Sequence, residues 1–201
     1  MQRLAAATKR FADAACAPSL DLDVGHAAPN PVKWKLPLRT NLEVIMPDLT
    51  MDKTAVIAVL NKILEAELAG VVRYTHYSFM VYGYGRIPIV NWLRGQAEES
   101  IVHAQEAGEL ITMLGGHPSL GIGKLLESEK HDIGSILRES LEHEHEALGL
   151  YRQLLQLTKD VDVMLEEYAR QMIAEETRHA GEVDKMLRQP GDYAPVPLSV
   201  G

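Results

Sequence analysis

At 201 residues, with 46% hydrophobic and 24% charged residues, the chain has the size and balance of one globular domain plus a tail. A formal net charge of −8 argues against nucleic-acid binding through a basic face, because phosphate neutralisation needs clustered Lys and Arg. The single Cys16 excludes an internal disulfide framework and any cysteine-built zinc or iron site, and no apolar run approaches the ~20 residues that span a bilayer.

Residues 1–50 hold Pro18, Pro29, Pro31, Pro37 and Pro47 and show little sustained periodicity, so they read as an irregular N-terminal arm. Within it, Trp34, Leu36, Leu38, Leu42, Val44 and Ile45 are costly to leave in water, which suggests packing across subunits. The opening residues lack the continuous apolar core of a secretory signal, and a cytoplasmic protein is expected.

Beyond the arm, long stretches without proline carry helical periodicity over residues 51–190. A first helix is expected from Met51 to Val81, with Val56, Val59, Leu60, Ile63, Leu64 and Leu68 on its apolar side. The Tyr82–Gly85 segment forms a turn. A second helix is expected from Pro88, as its first residue, to Leu114, where Gly115, Gly116 and Pro118 stop it. After a long connection, a third helix spans Asp132–Lys159 and a fourth Val161–Arg188, stopped by Pro190. Two short connections flanking a long one describe an all-α four-helix bundle with a crossover between helices two and three. Residues 191–201 form a proline-containing tail with no room for a fifth helix.

The helices repeat a chemical pattern. Glu67 precedes Tyr74 by seven residues in helix one, and Glu144 precedes Tyr151 by the same spacing in helix three. Seven residues are close to two turns, so each pair shares a face. Helix two carries Glu99 four residues before His103, and helix four carries Glu176 three residues before His179. An inward glutamate from each of two helices, with a Glu/His pair from each of the other two, is the ligand set of a dinuclear carboxylate site. Carboxylates balance the charge of two divalent cations and can bridge them; imidazole suits iron, zinc or copper, and the oxygen-rich shell also admits manganese. Taken singly, each glutamate reads as a solvated charge and each histidine as a surface or core residue. The conjunction decides: several buried ionisable groups without a cation would cost several kcal/mol each, against a net stability of ~5–15 kcal/mol.

The stretches LNKILEAELAGVVRYTHYSF, EESIVHAQEAGELITMLGGHPSL and AEETRHAGEVDKML resemble bacterioferritin and its ferritin-like relatives over about residues 54–189. The resemblance implies a ferritin-like bundle holding two iron ions, with manganese or zinc as other fits. It implies Glu67 and Glu144 as terminal carboxylates, Glu176 as a bridging carboxylate, His103 and His179 as imidazole ligands, and Tyr74 close to the metals. It further implies oxidation of Fe(II) by oxygen or peroxide, for iron storage or detoxification; a homo-oligomer, at least a dimer, is expected because closed symmetric association is the common case. A di-iron oxygenase or peroxidase with another substrate, and a non-catalytic bundle, are the alternatives. Neither nucleic acid nor membrane is expected as a partner.

Three departures qualify the match. Ser100 stands three residues before His103, where the family has its second bridging glutamate; Glu99 is the nearest replacement, and a π-bulge between it and His103 would align it. Ile101 stands where the family places its haem-ligating methionine, so haem is not expected. The family's fifth helix has no counterpart.

Overall fold

The computed structural model describes residues 50–125 and 127–196, in which four helices follow one another: α1 (Lys53–Met80), α2 (Arg86–Met113), α3 (Ile133–Thr158) and α4 (Val163–Leu187). The readings made for residues 1–49, including the apolar set from Trp34 to Ile45, lie outside the described residues. Three of the four helices begin at an aspartate whose carboxylate accepts an otherwise unpaired first-turn N–H. Asp52 accepts from Ala55 N at 3.0 Å, Asp132 from Ser135 N at 2.9 Å, and Asp162 from Leu165 N at 3.0 Å.

Helix α2 starts earlier than its sequence suggests. Gly85 is its N-cap and offers no side chain to the first turn. Pro88 is therefore the third helical residue, not the first. It is tolerated there because first-turn N–H groups have no intrahelical acceptor to lose. At the other end, Gly115 N donates to Thr112 O and Gly116 N to Ile111 O, both at 2.9 Å, with Gly115 at φ +83°. This is the Schellman stop that Gly115 and Gly116 foretell.

A short turn joins α1 to α2 and another joins α3 to α4, so each pair is antiparallel. The connection from 114 to 132 crosses between the pairs and is tied to α1: Ser119 N donates to Asn61 Oδ1 at 2.7 Å, and Gly123 N to Glu65 O at 2.7 Å. α1 and α3 also run antiparallel side by side. One apolar cluster joins Leu60, Ile63 and Leu64 of α1 to Ala107 and Ile111 of α2, Tyr151 and Leu154 of α3, and Leu165, Ala169 and Met172 of α4. Towards the other end, Tyr74, Tyr77 and Val81 pack with Val90, Leu93, Ala97 and Ile136, while Leu137 and Leu141 pack with Ala180 and Val183. Between its apolar stretches every helix buries an ionisable residue: Glu67 on α1, His103 on α2, His143 and Glu144 on α3, and Glu176 on α4. The bundle thus has two apolar ends and one ionisable middle layer.

After α4 the described tail is not helical. Arg188 Nη1 donates to Tyr193 O and Val196 N to Asp184 Oδ1, both at 2.8 Å, so residues 191–196 fold back on α4. Among the described residues, no helix is long and apolar enough to cross a membrane.

Candidate metal centre

Glu176 occupies the centre of the layer. Its Oε1 lies 3.4 Å from His103 Nδ1 and its Oε2 lies 3.5 Å from His179 Nδ1. His103 Nδ1 is also 3.7 Å from Glu67 Oε1. Two donor groups result, Glu67/His103/Glu176 and Glu144/Glu176/His179, each with its donor atoms within 4.8 Å of one another. Glu176 belongs to both. The cavity between these side chains has a volume of about 10 Å³, the scale of single ions or water molecules.

The two tyrosines of the repeat are used across the helix pair. Tyr151 of α3 donates to Glu67 Oε1 of α1 at 2.9 Å, and Tyr74 of α1 donates to Glu144 Oε1 of α3. Antiparallel α1 and α3 make this exchange reciprocal. Burial pushes both phenols well above their ordinary range, reinforced by the adjacent carboxylates, so both remain protonated donors.

Burial dominates the ionisation of the layer. It raises Glu67, with the negative charge of Glu176 adding to the effect, and it raises Glu144 strongly, again helped by Glu176. Burial also acts to raise Glu176, but hydrogen bonding with His103, His179 and Glu144 reverses this and holds Glu176 below the usual carboxylate range. For His103 burial opposes the charge, yet hydrogen bonds to Glu176 and Glu67 push it up to about 10. His179 is raised by its hydrogen bond to Glu176. Without a cation, the layer keeps its charge down by sharing protons, which is what crowded buried carboxylates must do. Three buried carboxylates and two imidazoles therefore fit a pair of divalent cations in charge, donor type and spacing.

Helix two contributes differently from helix four. α2 is a continuous α-helix through Glu99 and His103, so the expected π-bulge is not present. The ordinary helical rotation puts Ser100 inward and Glu98 outward, with Glu99 between them at 34% side-chain exposure. Glu99 still lines the cavity, because its length carries Oε1 to 3.4 Å from His179 Nε2. It groups with Glu175 and His179, not with Glu67, His103 or Glu144. Its other oxygen accepts from Gln96 Nε2 at 3.1 Å.

Ser100 packs against α1 at Gly70. A Cβ on Gly70 would stand 2.7 Å from Ser100 Oγ and 2.8 Å from His143 Nε2. Gly70 thus leaves room for a serine and a buried histidine to wall the cavity. His143 is pushed down to about 4, first by burial and then by the Arg73 charge, so it is neutral near pH 7. His143 and Gln96 were not singled out by the sequence pattern. A glycine inside an otherwise regular helix was the available signal for this close approach.

Fold and layer together define a class: a four-helix bundle with a crossover and a central carboxylate–imidazole site. The ferritin-like domain family model matches residues 57–190, and the chain belongs to that family. A bacterial ferritin of Neisseria meningitidis serogroup B is 26% identical over 136 residues, covering 67% of this chain and 87% of its own length. A ferritin-like di-iron-carboxylate protein from Bacillus anthracis str. Ames superposes with a TM-score of 0.64 at 26% identity, covering 68% of this chain and 98% of that one. A dodecameric thioferritin, the bacterioferritin-related protein of Bacteroides fragilis, gives 0.65 at 25% identity, covering 69% and 87% respectively.

Proposed function

We propose that this chain is a bacterioferritin-type di-iron protein that oxidises Fe(II) with oxygen or peroxide, in iron storage or detoxification. The observation that carries the reading is Glu176, shared between two buried donor groups that each add a glutamate and a histidine. In this reading Glu67 and His103 would hold one metal and Glu144 and His179 the other, with Glu176 available to both. The functional domain is the bundle of residues 51–190, with residues 1–50 as an arm and 191–201 as a tail.

Bound iron supplies one electron per ion. Two Fe(II) become two Fe(III), and dioxygen takes both electrons and two protons to give hydrogen peroxide; with peroxide as oxidant the products are two waters. The protein's part is positioning and proton handling. Tyr74 and Tyr151 fix the orientation of Glu144 and Glu67 by donating to one oxygen of each. Glu99 faces Nε2 of His179, the nitrogen opposite the one that faces Glu176. Its role in this reading is to set the tautomer and orientation of His179, leaving Nδ1 as the ligand. The cavity of about 10 Å³ favours ions and small oxidants over an organic substrate.

The test is aerobic Fe(II) oxidation with metal analysis of the same samples. Wild type is expected to bind two ions per chain and to oxidise Fe(II) faster than buffer. Glu144→Ala and His179→Ala are each expected to lose most of both properties, since each removes a ligand. Wild-type stoichiometry and rate in both variants would refute the assignment.

A further inference from the structure

We propose a second, separate metal site on the outer surface of the bundle, formed by His76, Glu127 and His131, that binds a divalent first-row transition ion. His76 lies on α1, while Glu127 and His131 lie in the crossover that approaches it. His76 Nε2 is 3.0 Å from Glu127 Oε2, and His131 Nε2 is 3.5 Å from Glu127 Oε1. One donor atom from each residue can be chosen so that all three lie within 4.8 Å of one another. Ligand bonds of about 2.0–2.2 Å at a tetrahedral angle put neighbouring donors roughly 3.3 Å apart, the scale of the two distances from the histidines to the Glu127 carboxylate.

The surroundings hold this arrangement without using the donor nitrogens. Glu139 ties the crossover down: Ser128 N donates to its Oε1 at 3.2 Å, the Ser128 hydroxyl donates to the same oxygen, and Tyr77 of α1 donates to Oε2. Arg73 Nη2 donates to the Glu139 carbonyl at 2.6 Å. Glu129 N donates to Glu127 Oε1 at 2.6 Å, and Glu129 adopts a left-handed φ of +55°. A non-glycine residue in that region costs of order 1 kcal/mol and persists where its surroundings over-determine it. The hydrogen bond from this turn fixes one oxygen of Glu127 between the two histidines.

Two imidazoles and one carboxylate select the class of ion. Nitrogen donors favour zinc, cobalt or ferrous iron over calcium and magnesium, which prefer all-oxygen shells. With three protein donors, the remaining coordination positions face solvent. His76 has 47% of its side chain exposed and His131 29%, so ions can arrive and leave without passing through the bundle. This inference does not depend on the di-iron reading of the interior.

The test is equilibrium dialysis of Co(II) and Zn(II) against full-length wild type and His76→Ala/His131→Ala, with visible absorption of the Co(II) samples. His76 is exposed and His131 half-buried outside the core, so the variant is expected to fold, which circular dichroism checks. Wild type is expected to bind one equivalent more than the variant for both ions, with a difference spectrum of nitrogen/oxygen-ligated Co(II). Glu127→Gln should weaken the same increment, and Ca(II) or Mg(II) should not compete for it. Because the readout is a difference between two proteins, it stands whatever the interior binds. Equal stoichiometry and superimposable Co(II) spectra would overturn the proposal, as would a wild-type increment that Ca(II) removes.

Discussion

Glu176 has both oxygens directed to histidines of different helices, His103 on α2 and His179 on α4. Replacing it with Gln keeps the volume and removes the charge that the two donor groups share. Glu176→Gln is expected to bind fewer than two metals per chain in anaerobic titration. Glu99→Gln, which on this geometry acts through His179, is expected to keep two and to bind them about 10–100-fold more weakly. Equal losses in the two variants would mean that Glu99 is itself a ligand. Protons give a second residue-level prediction. In the metal-free protein His103 is pushed up to about 10 against the effect of burial, by its hydrogen bonds to Glu176 and Glu67, so it holds a proton that an incoming cation must displace; burial shifts Glu67 and Glu144 in the same direction. Metal binding should therefore release protons and tighten as pH rises, measurable by calorimetry in buffers of different ionisation enthalpy; affinity independent of pH between 6 and 8 would contradict this. His143 gives the opposite linkage. Its folded value of about 4 lies below the ordinary 6.5, so the stability it confers is present above pH 6.5 and is lost as pH falls through about 4. For a buried group this amounts to about 3 kcal/mol. The melting temperature of metal-free wild type should fall over that window relative to His143→Gln, whose curve lacks this component.

At the scale of elements, Gly70 is the most informative position. Alanine there raises helix propensity by about 1 kcal/mol, but its Cβ meets Ser100 Oγ at 2.7 Å and His143 Nε2 at 2.8 Å. Overpacking of this kind costs about 1–3 kcal/mol, so Gly70→Ala should lower the melting temperature and weaken metal binding, and Ser100→Ala in the same chain should recover part of the loss. Unchanged stability and affinity in Gly70→Ala would show that α1 and α2 do not need this contact. Much of the element plan was legible because its signals are local. Proline-free apolar periodicity set the ends of α1, α3 and α4 to within two residues, and Gly115–Gly116 marks one stop, while the capping by Asp52 and Asp162 emerged only with the structure. The start of α2 was misplaced because Gly85 leaves no capping side chain to read, and proline is tolerated throughout a first turn. The Glu/His repeat was legible because ligand spacing within a helix follows from its rotation. Pairings between helices do not follow from it. The Tyr74–Glu144 and Tyr151–Glu67 exchange depends on α1 and α3 lying antiparallel, and the burial of His143 beside Gly70 depends on how closely the helices pack. Position 100 shows the same limit: a lost carboxylate was visible in the sequence, while the route by which Glu99 reaches His179 required the structure.

For the whole molecule, the two apolar ends supply stability and the middle layer is a cost until cations arrive. Metal addition should therefore raise the melting temperature by mass action, in proportion to the logarithm of metal concentration above Kd. The surface also bears on assembly. Ile101, Val102 and Met164 are exposed on the bundle, and Leu110 and Tyr168 line an apolar groove with the last two. A symmetric homo-oligomer of at least two chains is expected, and removing residues 1–47 should change the number of chains per particle, read by light scattering, if the arm packs across subunits. An unchanged number of chains per particle would assign assembly to the bundle alone. Ile101 offers no lone pair to an iron porphyrin, so the purified protein should show no Soret band. The most direct measurement is anomalous diffraction at the iron edge from crystals loaded anaerobically with Fe(II). The expected result is two peaks per chain in the central layer, one bound by Glu67, His103 and Glu176 and the other by Glu144, Glu176 and His179. A single peak, or peaks not bridged by Glu176, would contradict the dinuclear centre.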